Sequence, residues 1–188
     1  VEAIANLVRV LPSARKQVEH TVEAVFNATK NATVARCDAG VNLTFSGYFD
    51  DELWWGHAWL RAHALTNRSD YLARSEAIFE DVVNRSWSDL SCGGGCCWQA
   101  TKDPRGMASC YKNAITNELF FSLGAQLAAL HEARCRAALA PRGTARMRRA
   151  AASSAAARSC VAAKTYHQWA SRELMWFLAS GMLNASSL

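Results

Sequence analysis

The residues best suited to chemistry lie between Tyr48 and Trp55, where two adjacent aspartates, Asp50 and Asp51, precede two tryptophans. Cleavage of a glycosidic bond commonly uses one carboxylic acid to protonate the leaving oxygen and one carboxylate to attack or to activate water. Asp50 and Asp51 could supply this pair, and the indoles of Trp54 and Trp55 could stack on sugar rings. This stretch therefore indicates a site for sugar chemistry.

The same acids also have a purely structural interpretation. Asp50, Asp51 and Glu52 suit the start of a helix, because carboxylates favour the N-cap and the first turn, where they complement the backbone dipole. Taken alone, the acidic run favours a helix start over a catalytic pair.

More polar and aromatic side chains lie around the start of a later predicted helix. Tyr111 and Asn113 come just before it, and Asn117 and Glu118 lie about one turn further along. Side chains at one end of packed helices can converge on a cleft, so these residues are candidates for sugar contacts. Asn113 could instead be an N-cap, and Glu118 a surface charge or a capping partner.

A glycine-rich loop between Ser91 and Met107 precedes that helix and contains three consecutive glycines followed by Trp98. Glycines let the backbone approach a ligand closely, and Trp98 offers a stacking surface. The alternative interpretation of this loop is a flexible turn.

The elements that must position these residues are helical. Apolar residues recur at three- and four-residue steps, and no convincing alternating pattern of β-branched residues occurs, so the chain is predicted to be all-α. Helices are predicted over Ser13 to about Thr29, from the acidic pair to about Leu65, over Tyr71 to about Val83, from Asn113 or Thr116 to about Leu130, and over Tyr166 to about Ser180. Gly181 is predicted to be a left-handed cap of the last helix.

One segment does not fit this pattern. Between Ala133 and Ala163 lie seven arginines, no acid and few large apolar residues, so the segment is interpreted as inserted or degenerate, with a basic strip for acidic polysaccharide or headgroups as the alternative. The net charge of the chain is +5, but outside this segment the chain has 14 basic and 16 acidic side chains. A nucleic-acid-binding face is therefore not indicated.

The composition fits one globular domain of a secreted protein. The 188 residues are 51% hydrophobic and contain seven cysteines, which favour an oxidising compartment but do not reveal their pairing. No second Cys/His pair accompanies Cys92, Cys96 and Cys97, so zinc is not expected. N-glycosylation is predicted at six sequons, at Asn27, Asn31, Asn42, Asn67, Asn84 and Asn184. No membrane span or signal peptide is evident.

Four ordered motifs resemble those of the family 76 glycoside hydrolases, the endo-α-1,6-mannanases and their fungal cell-wall relatives. They are Tyr48 to Trp55, Cys92 to Gly95 with Trp98, Tyr111 to Phe120, and Trp176 to Asn184. The resemblance covers about residues 41–126 and resumes over 166–188, omitting the alanine- and arginine-rich segment. Cys96 and Cys97 depart from the family pattern, which usually has an aliphatic and a variable residue there.

The resemblance implies a retaining mechanism on a six-hairpin (α/α)6 toroid, of which this chain would provide about half. Asp50 would be the nucleophile and Asp51 the general acid/base, without a metal or other cofactor. Substrate contacts are expected from the aromatic and amide side chains of the motifs, namely Trp54, Trp55, Trp98, Tyr111, Asn113 and Asn117.

The expected function is hydrolysis of α-1,6-mannosidic linkages, or transfer of the mannosyl group to another sugar, in cell-wall mannan. The implied protein is a secreted or cell-wall monomer that binds mannan and no nucleic acid, with contact to a membrane only through an anchor beyond this sequence. The alternative is a truncated, inactive remnant that binds carbohydrate without cleaving it.

Overall fold

The structure, a computed structural model, describes residues 2–29, 33–36, 39–42, 45–101, 107–140 and 155–182. Within these ranges the chain is predominantly helical, which confirms the predicted all-α class. The helices are α1 (Glu2–Val10), α2 (Arg15–Thr29), α3 (Phe49–Thr66), α4 (Ser69–Arg85), α5 (Ala114–Leu139) and α6 (Ala155–Ala179), with a 3-10 turn at Pro12–Ala14. None of these helices has the length and apolar character needed to cross a lipid bilayer.

A short antiparallel pair of strands, β1 (Thr33–Arg36) and β2 (Ala39–Asn42), lies between the first two predicted helices, where no strand was predicted. The strands pair in the register Thr33 with Asn42 through Arg36 with Ala39. Strands of four residues carry too few side chains for an alternating pattern to stand out, which is why the sequence did not reveal them.

The chain divides into two compact units, Val1–Leu119 and Phe120–Leu188. The core of the first unit is an aromatic cluster in which Phe26 of α2 meets Trp59 edge to face, with ring centroids 5.1 Å apart. Tyr71 of α4 lies against both rings. Each large side chain removed from water here contributes about 1.5–3 kcal/mol, and this burial fixes α3, the helix that carries the two aspartates.

Helix α3 begins and ends at signals that are visible in the sequence. Tyr48 is its N-cap residue in an extended conformation, and the first turn carries Asp50, Asp51 and Glu52. At the other end Asn67 is left-handed with φ +57°, and its N–H donates to the carbonyl of His63 at 2.7 Å. The acidic start of this helix is therefore confirmed.

The second unit is built on the later part of α5 and on α6. Phe120 meets Trp169 edge to face at 6.3 Å, and His131 stacks on Tyr166 at 5.5 Å. A disulfide joins Cys135 to Cys160.

Both long helices extend further than the sequence predicted. Helix α5 continues to Leu139, and α6 begins at Ala155 rather than at Tyr166. The two ends of the alanine- and arginine-rich segment are thus helical, since alanine and arginine favour helix where side-chain packing is sparse. Residues 141–154 of the segment lie outside the described residues, and its interpretation as an insertion stays a prediction. Gly181 has φ +77°, which confirms the predicted left-handed position.

Candidate active site

The two aspartates lie side by side on the first turn of α3, at the surface of the first unit. Asp50 is half-buried, and Asp51 is the more exposed of the two although it is partly shielded from water. The backbone N–H of Asp51 donates to Oδ1 of Asp50 at 3.1 Å, and the unpaired N–H groups of a first helical turn favour negative charge. Asp50 is therefore held in a setting that suits a carboxylate.

The loop that carries Trp98 lies directly against this helix start. The indole Nε1–H of Trp98 donates to Oδ2 of Asp50 at 3.0 Å. The main chain is also joined, because the N–H of Phe49 donates to the carbonyl of Trp98 at 3.0 Å. Tyr48 and Gln99 form an antiparallel bridge. Two motifs that are separated by 48 positions along the chain are thus in direct contact.

The glycine-rich loop before Trp98 is organised around the buried ammonium group of Lys112. Its Nζ donates to the carbonyl oxygens of Ser88 and Ser91, each at 2.7 Å, and also to that of Gly94. Gly94 and its neighbour Gly95 have φ values of +145° and +87°, a region that residues with a Cβ rarely adopt. The glycines therefore allow the peptide orientations that place these carbonyls around Lys112.

The two residues just before Trp98, Cys96 and Cys97, are held by contacts other than those of Lys112. The side-chain oxygen of Asn117 accepts the N–H of Cys96 at 2.6 Å, and its Nδ2 donates to the carbonyl of Cys96 at 3.2 Å. Cys97 forms a disulfide with Cys110. Asn117 is fully buried, so in this conformation its amide supports the loop.

Three aromatic rings line up beside Asp50. Trp98 meets Tyr48 at 5.3 Å and Tyr111 at 6.2 Å between ring centroids, both edge to face. Tyr111 is 67% exposed, and Trp54, on the next turn of α3, is 50% exposed. Exposed rings of this kind can stack on the apolar faces of sugars.

The environments of the two aspartates differ. Partial burial, and then the negative charge of Asp50, raise the pKa of the Asp51 carboxyl above its usual value. A raised pKa keeps a carboxyl group protonated at higher pH, which is what a general acid requires. Asp50 instead accepts two N–H donors. The two carboxyl groups thus differ: the pKa of Asp51 is raised, whereas Asp50 is held by two N–H donors.

Glu52, the third acid of the run, is fully buried beneath this surface. It accepts the N–H of Gly47 at 2.5 Å and the guanidinium of Arg85 at 3.1 and 3.2 Å, and Arg85 also pairs with Asp81. Burial raises the pKa of Glu52 to about 7, with the charge of Asp81 adding to the rise, while Gly47 and Arg85 oppose it. Glu52 therefore ties the start of α3 to the end of α4.

Two other residues that were predicted to contact substrate make contacts within the protein. Trp55 stacks on Trp59 at 5.6 Å against the core of the first unit. Asn113 accepts the N–H of Thr116 at 3.0 Å and so caps α5, as its alternative interpretation proposed. Their contacts with a sugar, like those of Trp54, Trp98, Tyr111 and Asn117, stay predictions.

Sequence reasoning gave no role to Tyr48 or Lys112 and gave Glu52 only the role of a helix-start acid, although all three lie inside the motifs. Tyr48 and Lys112 flank residues that were selected, so closer attention to motif neighbours could have found them. Burial of Glu52 could not be anticipated, because an acid in a first turn normally faces solvent.

Comparison with known proteins identifies the family to which this chain belongs. The sequence profile of Glycosyl hydrolase family 76 matches residues 13–141, which is more than half of the chain. The chain belongs to this family. The match begins earlier than the sequence motifs alone indicated and extends into the alanine- and arginine-rich segment.

Two proteins of Schizosaccharomyces pombe (strain 972 / ATCC 24843) are similar over part of the chain. "Putative mannan endo-1,6-alpha-mannosidase C970.02" is 33% identical over 93 residues, which cover 46% of this chain and 20% of that protein. "Putative mannan endo-1,6-alpha-mannosidase C1198.07c" is 32% identical over 84 residues, which cover 42% of this chain and 18% of that protein. The matched part of the chain thus spans about one fifth of the length of these relatives.

A solved structure shares the fold. The Lin0763 protein from Listeria innocua superposes with a TM-score of 0.56 at 20% sequence identity, covering 93% of this chain and 36% of that protein. At this identity the likeness concerns the fold alone.

Proposed function

We propose that the chain carries the catalytic carboxyl pair of a retaining glycoside hydrolase that cleaves α-1,6-mannosidic linkages within mannan. The observation that carries the proposal is the difference between two adjacent carboxyl groups. Asp50 accepts N–H donors from Trp98 and from the backbone, whereas the pKa of Asp51 is raised by burial and by the charge of Asp50. Unequal environments are how paired carboxyls divide the roles of nucleophile and acid.

In the first step Asp50 attacks the anomeric carbon while Asp51 donates its proton to the leaving glycosidic oxygen, which gives a covalent mannosyl-enzyme. In the second step Asp51 removes a proton from the incoming water, which displaces Asp50 and restores both groups. A sugar hydroxyl can replace water as the acceptor, so transfer to another mannan chain uses the same two residues. No metal is needed for either step.

The proposed substrate follows from the family and from the names of the two S. pombe relatives, both of which refer to mannan endo-1,6-alpha-mannosidase. Exposed rings at Trp54 and Tyr111 beside the aspartates suit a polysaccharide that crosses this surface. The two disulfides among the described residues and the six sequons of the sequence support a secreted or cell-wall glycoprotein. The proposed partner is mannan, bound by a monomer.

Substitution of each aspartate tests the roles with full-length protein and α-1,6-mannan oligosaccharides. Asp50→Asn should lower kcat by at least about 1,000-fold, because the nucleophile is lost. Asp51→Ala should lose activity on oligosaccharides but still form the mannosyl-enzyme, detected by mass spectrometry, from an aryl mannoside whose leaving group needs no proton.

The matched control is Asp70→Asn, which removes a first-turn acid from α4 and breaks its ion pair with Arg68. This variant should cost some stability and leave kcat unchanged. Full activity in Asp50→Asn would exclude Asp50 as the nucleophile. Absence of the mannosyl-enzyme in Asp51→Ala would exclude an acid role for Asp51.

A second candidate function is binding of mannan without cleavage, which the exposed ring of Tyr111 favours because stacking needs no carboxylate. Mannan affinity that is unchanged in Asp50→Asn and Asp51→Ala, with no products from the unmodified protein, would select this function.

A further inference from the structure

Trp98 is held by hydrogen bonds of both its main chain and its side chain. Its backbone N–H donates to the carbonyl of Tyr111 at 2.8 Å, and its carbonyl accepts the N–H of Phe49 at 3.0 Å. The indole Nε1–H donates to Oδ2 of Asp50 at 3.0 Å. Both polar groups of the main chain and the one polar atom of the side chain are therefore engaged, and the side-chain bond ends on a carboxylate of the candidate site.

The residues before Trp98 are anchored independently of Asp50. Cys96 is held through both its N–H and its carbonyl by the buried amide of Asn117, and Cys97 is bonded to Cys110. The main chain that carries the indole is thus held by contacts that do not involve Asp50.

We infer that Trp98 is a positioning residue whose indole N–H, carried on the anchored loop, orients the Asp50 carboxylate for attack. This inference rests on the proposed function, in which Asp50 is the nucleophile, and it assigns Trp98 a role that differs from stacking on substrate.

The physical basis is preorganisation. A hydrogen-bond donor that is already in place holds the carboxylate in one orientation and requires no reorganisation during the reaction. The rings of Tyr48 and Tyr111 contact the indole edge to face on the same surface.

Trp98→Phe separates the two roles of the ring, because phenylalanine keeps an aromatic face but has no N–H. If Trp98 positions Asp50, kcat should fall by about 10- to 100-fold with little change in KM, as expected for loss of a hydrogen bond to a charged group. An unchanged kcat, or a loss that appears in KM instead of kcat, would overturn the inference.

Trp87→Phe is the matched control, because the indole Nε1–H of Trp87 donates to Oδ1 of Asp89 at 3.1 Å and to neither aspartate of the pair. It removes the same kind of hydrogen bond from the same unit. Both kcat and KM should stay as in the unmodified protein.

Nuclear magnetic resonance tests the inference without relying on catalysis or on Trp98→Phe folding. The indole N–H resonance of Trp98 should lie downfield, as expected for an N–H bonded to a carboxylate, and should move upfield in Asp50→Asn. An unchanged Trp98 resonance in Asp50→Asn would overturn the inference. If the resonance moves as expected while the protein cleaves no mannoside, the inference stands and the proposed function fails.

Discussion

The two disulfides of the described residues lie in regions with opposite character. Cys97–Cys110 spans 13 positions within a loop, next to Trp98 and the first turn of α3. Cys135–Cys160 spans 25 positions and joins the end of α5 to the start of α6. The first lies in a dense set of polar contacts, and the second joins two helix ends that are rich in alanine and arginine.

The surroundings explain what each bond adds. Around Cys97, the ammonium of Lys112 and the amide of Asn117 already hold the main chain. Near Cys160, the large apolar side chains of the helix ends, Leu139 and Val161, are 64% and 66% exposed. A disulfide thus refines the position of a site loop in one region. In the other region it replaces apolar packing that the sequence does not provide.

The largest predicted effects come from removing each disulfide in turn. Cys97→Ala with Cys110→Ala, and Cys135→Ala with Cys160→Ala, should each lower the free energy of unfolding by about 3 kcal/mol, because loops of these lengths gain comparable entropy in the unfolded chain. Only the first pair should also lower kcat below the unfolding temperature, by about 10-fold or more, since only it anchors Trp98. Denaturant unfolding and assays at 15 °C separate the two effects. Equal kcat losses in both double variants would contradict the contrast between the regions.

A second effect is the pH dependence of stability contributed by Glu52 in the site region. Its pKa rises from 4.5 to about 7 on folding, so between these values the folded state holds more of its proton than the unfolded state does. Stability from Glu52 should therefore fall as pH rises from about 4.5 to about 7, by up to about 1.4 kcal/mol per pH unit, and level off above. Glu52→Gln should remove this slope, measured by urea unfolding at several pH values.

Glu80→Gln provides the control for the charge change, because Glu80 is an exposed carboxyl on α4. The slope should survive in this variant. A slope of the same size in Glu52→Gln and in the unmodified protein would show that another group is responsible.

The smallest predicted effect concerns the cap of α5, the helix that runs from the site region into the second unit. Asn113→Ala removes the acceptor for the N–H of Thr116 and should lower the free energy of unfolding by about 1 kcal/mol. Asn113→Ser keeps a capping oxygen and should restore most of that loss. If Asn113 also contacts mannan, KM should rise in both variants, whereas unchanged KM would limit the residue to its capping role.

Much of the fold was predictable because the relevant signals are local. The recurrence of Trp55, Trp59 and Ala62 marks the inward side of α3, and the acids mark its start. Helix α1 was not predicted, since nine residues ahead of Pro12 form a helix that is marginal on its own and gains stability by placing Val8 in the core. The early start of α6 was missed for a related reason, because its first turns lack large apolar residues.

The composition of the site was more predictable than its contacts. The motifs identified Asp50, Asp51 and Trp98 as members, but a hydrogen bond across 48 positions depends on how the loop returns to α3. Seven cysteines do not specify their own pairing. A lysine in a sequence is usually a surface charge, so the inward direction of Lys112 could be learned only from the folded chain.

The Lys112 ammonium organises the main chain of and around the glycine-rich loop by binding three carbonyl oxygens. One ammonium gathers the main-chain oxygens of Ser88, Ser91 and Gly94, much as carbonyls surround a metal cation, and their number equals that of its N–H donors. Arginine could not reproduce this arrangement, because a planar guanidinium directs its donors outward in a fork. The ammonium of one side chain therefore orients three peptides of this region at once.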